Sequence, residues 1–155
     1  MPTTLQAELK QNRPFATRVA EAMVSIFRTA AVLDHQLCEV LRPFGITPTQ
    51  HNVLRILRGA GPRGLCGREI AERMYAPVPD VPRMLDRLTA LRLIGRHRDT
   101  DDRRHVTATI TPKGLEVLDA VRPAVDAMER SRFGRLSERT LVTLIEGLAT
   151  VRDSA

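Results

Sequence analysis

The sequence predicts a mainly α-helical fold with one small β-hairpin, and three observations carry that expectation. Apolar residues recur at helical spacing near both ends of the chain, at Val19, Met23, Ile26, Phe27, Ala30, Leu33, Leu37 and Leu41, and again at Leu115, Leu118, Val121, Val125 and Met128. Helix-start signals stand at Thr47-Pro48-Thr49-Gln50, at Asp80, at Thr111-Pro112 and at Ser137. The one run of β-branched residues, over positions 105–110, follows a charged turn.

Each element follows in order. The first ten residues are polar and unpatterned, which predicts a flexible arm or a frayed helix start. The apolar stripe that begins near Phe15 predicts a long helix ending near Arg42, where Pro43 and Gly45 stop it. Thr47 caps the next helix, with Pro48 at its first position and Gln50 placed to reach back to the cap amide; that helix is expected to stop at Gly59. The run GAGPRG, residues 59–64, has the spacing of a dinucleotide-binding glycine loop, but a capped helix precedes it and Pro62 interrupts it, so it reads as a loop.

A short helix over residues 67–74 carries Ile70 and Met74 inward. A helix opening at Asp80 places Val81, Met84, Leu85, Leu88 and Leu91 on one face, with Pro82 in the first turn, where proline is tolerated. Extended runs over residues 94–98 and 105–110 flank a charged tip, residues 99–104. Two more helices follow, the second capped by Ser137 and bearing Leu141, Leu144, Ile145, Leu148 and Val151.

Composition narrows the function. With 155 residues, 43% hydrophobic and 3% aromatic, the chain reads as one domain or one domain with appendages. Cys38 and Cys66, without a secretory leader, read as reduced thiols rather than a disulfide. Charges interrupt every hydrophobic segment, so no membrane span is expected and the expected location is cytoplasmic. The net charge is +6, and 22 of the 24 basic residues are arginine. Codon bias alone can produce such a composition, so position matters more than count. Residues 83–104 hold seven arginines against four aspartates, half of the whole excess, which points to an anionic partner there. The scarcity of aromatic residues argues against single strands, whose bases stack on aromatic rings, and favours duplex DNA.

Two short helices, a basic helix and a charged hairpin make a helix-turn-helix with a wing. The stretch DRLTALRLIGRHRDTDDRRHVTATITPKG, residues 86–114, resembles the MarR (multiple antibiotic resistance regulator) family, with its DRL turn, its DxxDRR wing and the closing TPKG. ITPTQHNVLRIL, residues 46–57, and REIAERM, residues 68–74, are similar to that family's preceding helices. The resemblance implies a homodimeric transcription regulator, commonly a repressor, released from DNA by small phenolic or other anionic ligands, by a metal or by thiol oxidation. It implies that Arg104 enters the minor groove and that Asp102 orients it; Arg103 is placed to contact phosphate instead, and the bland alternative is that residues 99–104 are only a solvated charged turn. A guanidinium fixed by a carboxylate loses less freedom on docking into a narrow groove of negative potential.

On the helix opening at Asp80, the residues expected near DNA are Pro79, Asp80, Arg83 and Arg87. Arg83 is expected at a base edge, and Arg87 at a phosphate or paired with Asp86 or Asp80. Pro82 stands where the family often has threonine, and Arg92 where it usually has glycine. The expected organisation is an arm and dimerisation helix in residues 1–42, a winged helix-turn-helix in 43–114 and dimerisation helices in 115–155. Their apolar stripes exceed what the winged helix can cover, so a second copy is expected to cover them.

Sensing residues are less defined. His35, Cys38 and His51 are the ligand-binding candidates, and each also has an ordinary packing explanation. Cys66, at a helix start, is a redox candidate, though it can equally be a small packing residue. His35 and Cys38 form an HxxC pair, too few ligands for a metal site, and no cofactor is expected. Neither a nucleophile elbow nor a zinc or nucleotide motif is present, so no enzyme is expected. The expected function is a ligand-responsive homodimeric regulator on pseudopalindromic duplex DNA. The alternatives are a redox-sensing repressor acting through Cys66 and a winged-helix protein-interaction module.

Overall fold

The computed structural model describes residues 4–98 and 106–153. The order is α1 (Thr4–Glu8), α2 (Arg18–Leu41), α3 (Pro48–Ala60), β1 (Leu65–Cys66), α4 (Gly67–Arg73), α5 (Val81–Ala90), β2 (Ile94–Arg98), β3 (Val106–Ile110), α6 (Pro112–Phe133) and α7 (Glu138–Asp153). No helix among the described residues is long and apolar enough to cross a membrane.

Helix boundaries follow local hydrogen bonding. Of the two expectations for the arm, a flexible segment or a helix start, the structure has a short helix, α1. α2 begins at Arg18 rather than at Phe15, because the Thr17 hydroxyl accepts the Ala20 N–H at 3.1 Å and caps it there. Both halves of the α3 capping box form: Gln50 N–H donates to the Thr47 hydroxyl at 3.2 Å, and Thr47 N–H to the Gln50 side-chain oxygen at 2.9 Å. α3 runs past Gly59 to Ala60, and Gly61, at φ 66°, supplies the left-handed residue that ends it.

The sheet departs from the expected hairpin. It has three strands in the order β1-β3-β2, all antiparallel. β1 is two residues long, too short to show alternation in a sequence, and it pairs Leu65 with Ala108 and Cys66 with Thr107. Gly64 makes this approach possible. Its φ is 66°, and a Cβ there would lie 2.5 Å from the Ala108 carbonyl oxygen. The hairpin register pairs Ile94 with Ile110 and Arg98 with Val106; His105, expected in the second strand, lies outside the described residues.

The turn from α5 into β2 is closed without glycine. Arg92 takes φ 60°, Leu93 N–H donates to the Leu88 carbonyl at 3.0 Å and Arg92 N–H to the Thr89 carbonyl at 2.9 Å. This is a Schellman closure, with buried Leu88 and Leu93 as its apolar pair. The start of α6 holds the turn from outside: the Thr111 hydroxyl donates to the Arg92 carbonyl at 2.7 Å and Lys113 Nζ to the Leu91 carbonyl at 2.9 Å.

One core joins the elements, with Leu41, Val53, Leu54, Leu57, Leu65, Ile70, Leu88 and Val121 fully buried. Each such aliphatic side chain contributes about 1.5–3 kcal/mol by leaving water. Three residues expected inward, Leu91, Leu115 and Met128, are not in it, and Met128 is only partly buried. Leu91 is the C-cap of α5 and is exposed, and Leu115 is exposed while Val117 packs on the core in its place. α7 buries no residue at all.

Candidate nucleic-acid interface

The putting together of α4 and α5 starts from their caps. Cys66 stands at the N-cap of α4, and its backbone N–H donates to the Glu69 carboxylate at 2.9 Å. That bond, with the Cys66 thiol beside it, holds the Glu69 carboxyl below the usual range. Ahead of α5, the Tyr75 N–H donates to the Asn52 side-chain oxygen at 3.3 Å, tying the intervening turn to α3. The Asp80 carboxylate then accepts the Arg83 N–H at 2.9 Å and starts α5 as expected.

This start decides which groups of α5 face an anion. Pro82 has no N–H and the Arg83 N–H is already taken by a carboxylate, so the helix terminus itself is a poor phosphate site. Side chains must supply the attraction. Met84, Leu85 and Leu88 turn inward, leaving Pro82, Arg83, Asp86 and Arg87 exposed on the outer face. Among the described residues neither Arg83 nor Arg87 has an ion-pair partner. Asp86, offered above as a partner for Arg87, is bound instead by Arg96.

Arg96, one of the seven arginines counted over residues 83–104, has an internal partner. It lies on β2, donates to Asp86 at 2.7 Å and to the Pro82 carbonyl at 3.3 Å, and so ties the wing strand to α5. On the opposite face of β2, His97 Nε2 and the Thr109 hydroxyl share a hydrogen bond of 3.1 Å across the ladder. Arg98 ends β2 exposed. Pro79 is exposed in the turn before α5. Asp102, Arg103 and Arg104 lie outside the described residues.

A basic helix braced against a strand pair, on a three-stranded sheet with a buried helical core, is the architecture of a winged helix. The sequence profile of the MarR family matches residues 44–105. The repressor MdtR of Bacillus subtilis is 38% identical over 82 residues, covering 53% of this chain and 52% of that protein. The Staphylococcus aureus MepR–DNA complex superposes with a TM-score of 0.77 at 26% identity, covering 85% of this chain and 97% of that one. The matched segment is a MarR-family winged helix. The family and the relatives matched here are transcriptional regulators rather than enzymes. CouR of Rhodococcus jostii RHA1, solved with p-coumaroyl-CoA bound, has the same fold, with a TM-score of 0.75 at 19% identity over 91% of this chain and 98% of that one.

The three ligand candidates do not meet. His35 lines a cavity between α2 and α6 with Glu39, Ala124 and Met128. Cys38, three residues along, lines a different one with Arg42, Ile46 and Pro48. His51 is buried in a third, between α3 and α6. Among the described residues no group of three or more His, Cys, Asp or Glu side chains is placed to hold a metal. Cys66 is half-buried and its thiol is free, as is that of Cys38.

Around His51 the structure gathers Arg55, Arg58, Arg122 and Asp126, none of which the sequence singled out. The signal was present as a stripe at positions 51, 55 and 58, one face of a helix. Burial, and then the Arg55 and Arg58 charges, lower the His51 pKa and favour its neutral ring.

Proposed function

We propose that this protein is a homodimeric repressor that binds a pseudopalindromic duplex and is released by a small-molecule effector. α5 lies in the major groove, with Arg83 at a base edge and Arg87 on a phosphate, flanked by Pro79 and Asp80. Residues 99–105 reach the minor groove, with Arg104 inserted, Asp102 orienting it and Arg103 on the backbone. Residues 43–114 form the DNA-binding unit, and residues 1–42 and 115–155 hold the two copies together.

The observation that carries the DNA reading is the pair of exposed guanidiniums on α5, Arg83 and Arg87, without an ion-pair partner among the described residues, on a helix capped by Asp80 and braced by Arg96. Dimerisation is supported by the apolar surface left over on the single chain. Val19 is 78% exposed, Phe27 65% and Ile145 63%, and α7 buries nothing. These residues belong to α2 and α7, which meet in a cavity of about 280 Å³ lined by Ile26, Leu33, Phe133, Leu144 and Leu148. Large exposed apolar faces of this kind mark interfaces, and an isologous pair would set the two α5 helices about one DNA turn apart.

The test is selection of duplexes from a random pool by the full chain, followed by affinity measurement against salt. A palindromic consensus, and a log-log salt slope of several units as phosphates displace counterions, are the expected results. No duplex binding at low salt would sink the reading.

A further inference from the structure

The C-terminal end of α5 is gripped by another helix. A helix leaves its last carbonyls without partners of its own, and here three successive carbonyls past the end of α5 are taken by the start of α6. Lys113 Nζ donates to the Leu91 carbonyl at 2.9 Å, the Thr111 hydroxyl to the Arg92 carbonyl at 2.7 Å and the Thr111 N–H to the Leu93 carbonyl at 3.1 Å. The two backbones also meet. A Cβ on buried Gly114 would lie 2.3 Å from the Leu93 carbonyl oxygen, so this close approach needs glycine. The inner face of α5 rests on the core through Met84, Leu85 and Leu88. Apolar contact of that kind is non-directional, whereas the three bonds fix where the end of the helix points.

We propose that Lys113 is a positioning residue for DNA binding: by holding the Leu91 carbonyl it sets the tilt of α5, and so the reach of Arg83 into the groove, without touching DNA itself. The inference rests on the reading of α5 as the helix that enters the major groove. The lever is long. At a rise of about 1.5 Å per residue, Leu91 and Arg83 lie about 12 Å apart along the axis. A tilt of about 5° at the clamp moves Arg83 by about 1 Å, enough to carry a donor out of hydrogen-bond range.

Lys113 is the separable part of the clamp. The Thr111 hydroxyl also accepts the Gly114 N–H at 3.1 Å and caps α6, so removing it disturbs two helices. Lys113 makes its bond with an exposed side chain, and its charge stands at the negative end of the α5 dipole. The clamp is also distinct from the Arg96 brace. Arg96 grips α5 near its start, at Pro82 and Asp86, whereas Lys113 grips the far end and ties it to α6, which runs on through Leu118, Val121 and Val125 of the core.

The experiment measures the affinity of the full chain for the duplex it selects from a random pool, by anisotropy at several salt concentrations. The proteins are the unaltered chain, Lys113→Met, Arg83→Ala and the double variant. Lys113→Met keeps the stem and removes the donor; Lys113→Ala replaces it if urea denaturation shows the methionine variant unfolded. The expected result is binding weakened about fivefold or more in Lys113→Met with the salt slope unchanged, because no phosphate contact is lost. Arg83→Ala, about tenfold weaker in the unaltered background, should cost less than about threefold on top of Lys113→Met, since a displaced Arg83 has little contact left to lose. Three results would overturn the proposal: unchanged affinity in Lys113→Met, a salt slope lower by about one unit, which makes Lys113 a phosphate ligand, or an equal cost of Arg83→Ala in both backgrounds. Duplex bound equally by the unaltered chain and Lys113→Met refutes only the clamp. No duplex binding by the unaltered chain refutes the DNA reading and the clamp with it.

Discussion

Arg96 of β2 and Asp86 of α5 are joined by a hydrogen bond of 2.7 Å between opposite charges, and the same guanidinium reaches the Pro82 carbonyl at 3.3 Å. The bond crosses from the wing strand to the exposed basic helix. An arginine counted in the positive footprint is thus an internal brace, and the aspartate of the DRL turn is its partner. Both side chains are partly solvated, so the pair itself contributes only about 0.5–1 kcal/mol to stability. Its larger effect is on orientation.

Arg96→Ala should therefore weaken duplex binding about two- to fivefold, leaving Asp86 unpaired beside the phosphates. Asp86→Ala loosens the same brace but removes a negative charge from the interface, so its effect should be smaller. A double-mutant cycle on denaturant melts checks the brace; additive single effects would show that the two residues do not cooperate.

Arg83 and Arg87 should separate by kind. Arg83→Ala should cost about 1–3 kcal/mol on the preferred duplex and relax the choice of base at one position per half-site. Arg87→Ala should weaken all duplexes alike and lower the salt slope by about one unit per subunit. Anisotropy titrations over a set of duplexes at several salt concentrations distinguish these patterns.

Arg92 holds a left-handed backbone that disfavours a side chain. Glycine has no such penalty but gains more freedom in the unfolded chain, so Arg92→Gly should stabilise by about 0.5–1 kcal/mol net. Urea denaturation gives the value directly. A destabilised variant would mean that the arginine side chain does more for this turn than its backbone costs.

His51 titrates below its ordinary value of 6.5 in the folded chain. Between that lowered value and 6.5 the unfolded state binds more protons, so this residue's contribution to stability is fully present above pH 6.5 and is lost as pH falls through the window. His51→Gln should flatten the fall in stability as pH drops below 6.5. Melts of both proteins across that range, with the same slope in each, would contradict the assignment.

Ile145→Glu places a charge on the exposed apolar face of α7. Light scattering should show a single copy where the unaltered chain forms a pair, and duplex affinity should fall by more than tenfold because each copy then holds only one half-site. A variant that remains paired would place the interface elsewhere.

The readable parts of this molecule were those decided within a few residues. The Thr47–Gln50 box, the Asp80 cap, the Thr111 cap and the helical stripes each rest on bonds or faces spanning one or two turns, and each appears in the structure as the chain order implies. So do the winged-helix order and the basic character of α5, which require only periodicity and charge. β1 was not readable, because a two-residue strand is defined by its partner, Ala108 and Thr107 on β3, some forty residues away. The side chosen by Leu115 and Val117 was not readable either, since adjacent positions on one helix differ only by what packs against them.

Charge shows the same division. The sequence by itself determined that arginine concentrates over residues 83–104 and that a helix must present part of it. Only the tertiary structure decided which of those arginines are spent internally, as Arg96 is on Asp86, and which remain outward, as Arg83 and Arg87 do. It also drew Arg122 across from α6 to Arg55, Arg58 and His51 on α3. The reason is range: helix formation and capping act between near neighbours in sequence, whereas a salt bridge or a cavity depends on groups that become neighbours only once the core has closed.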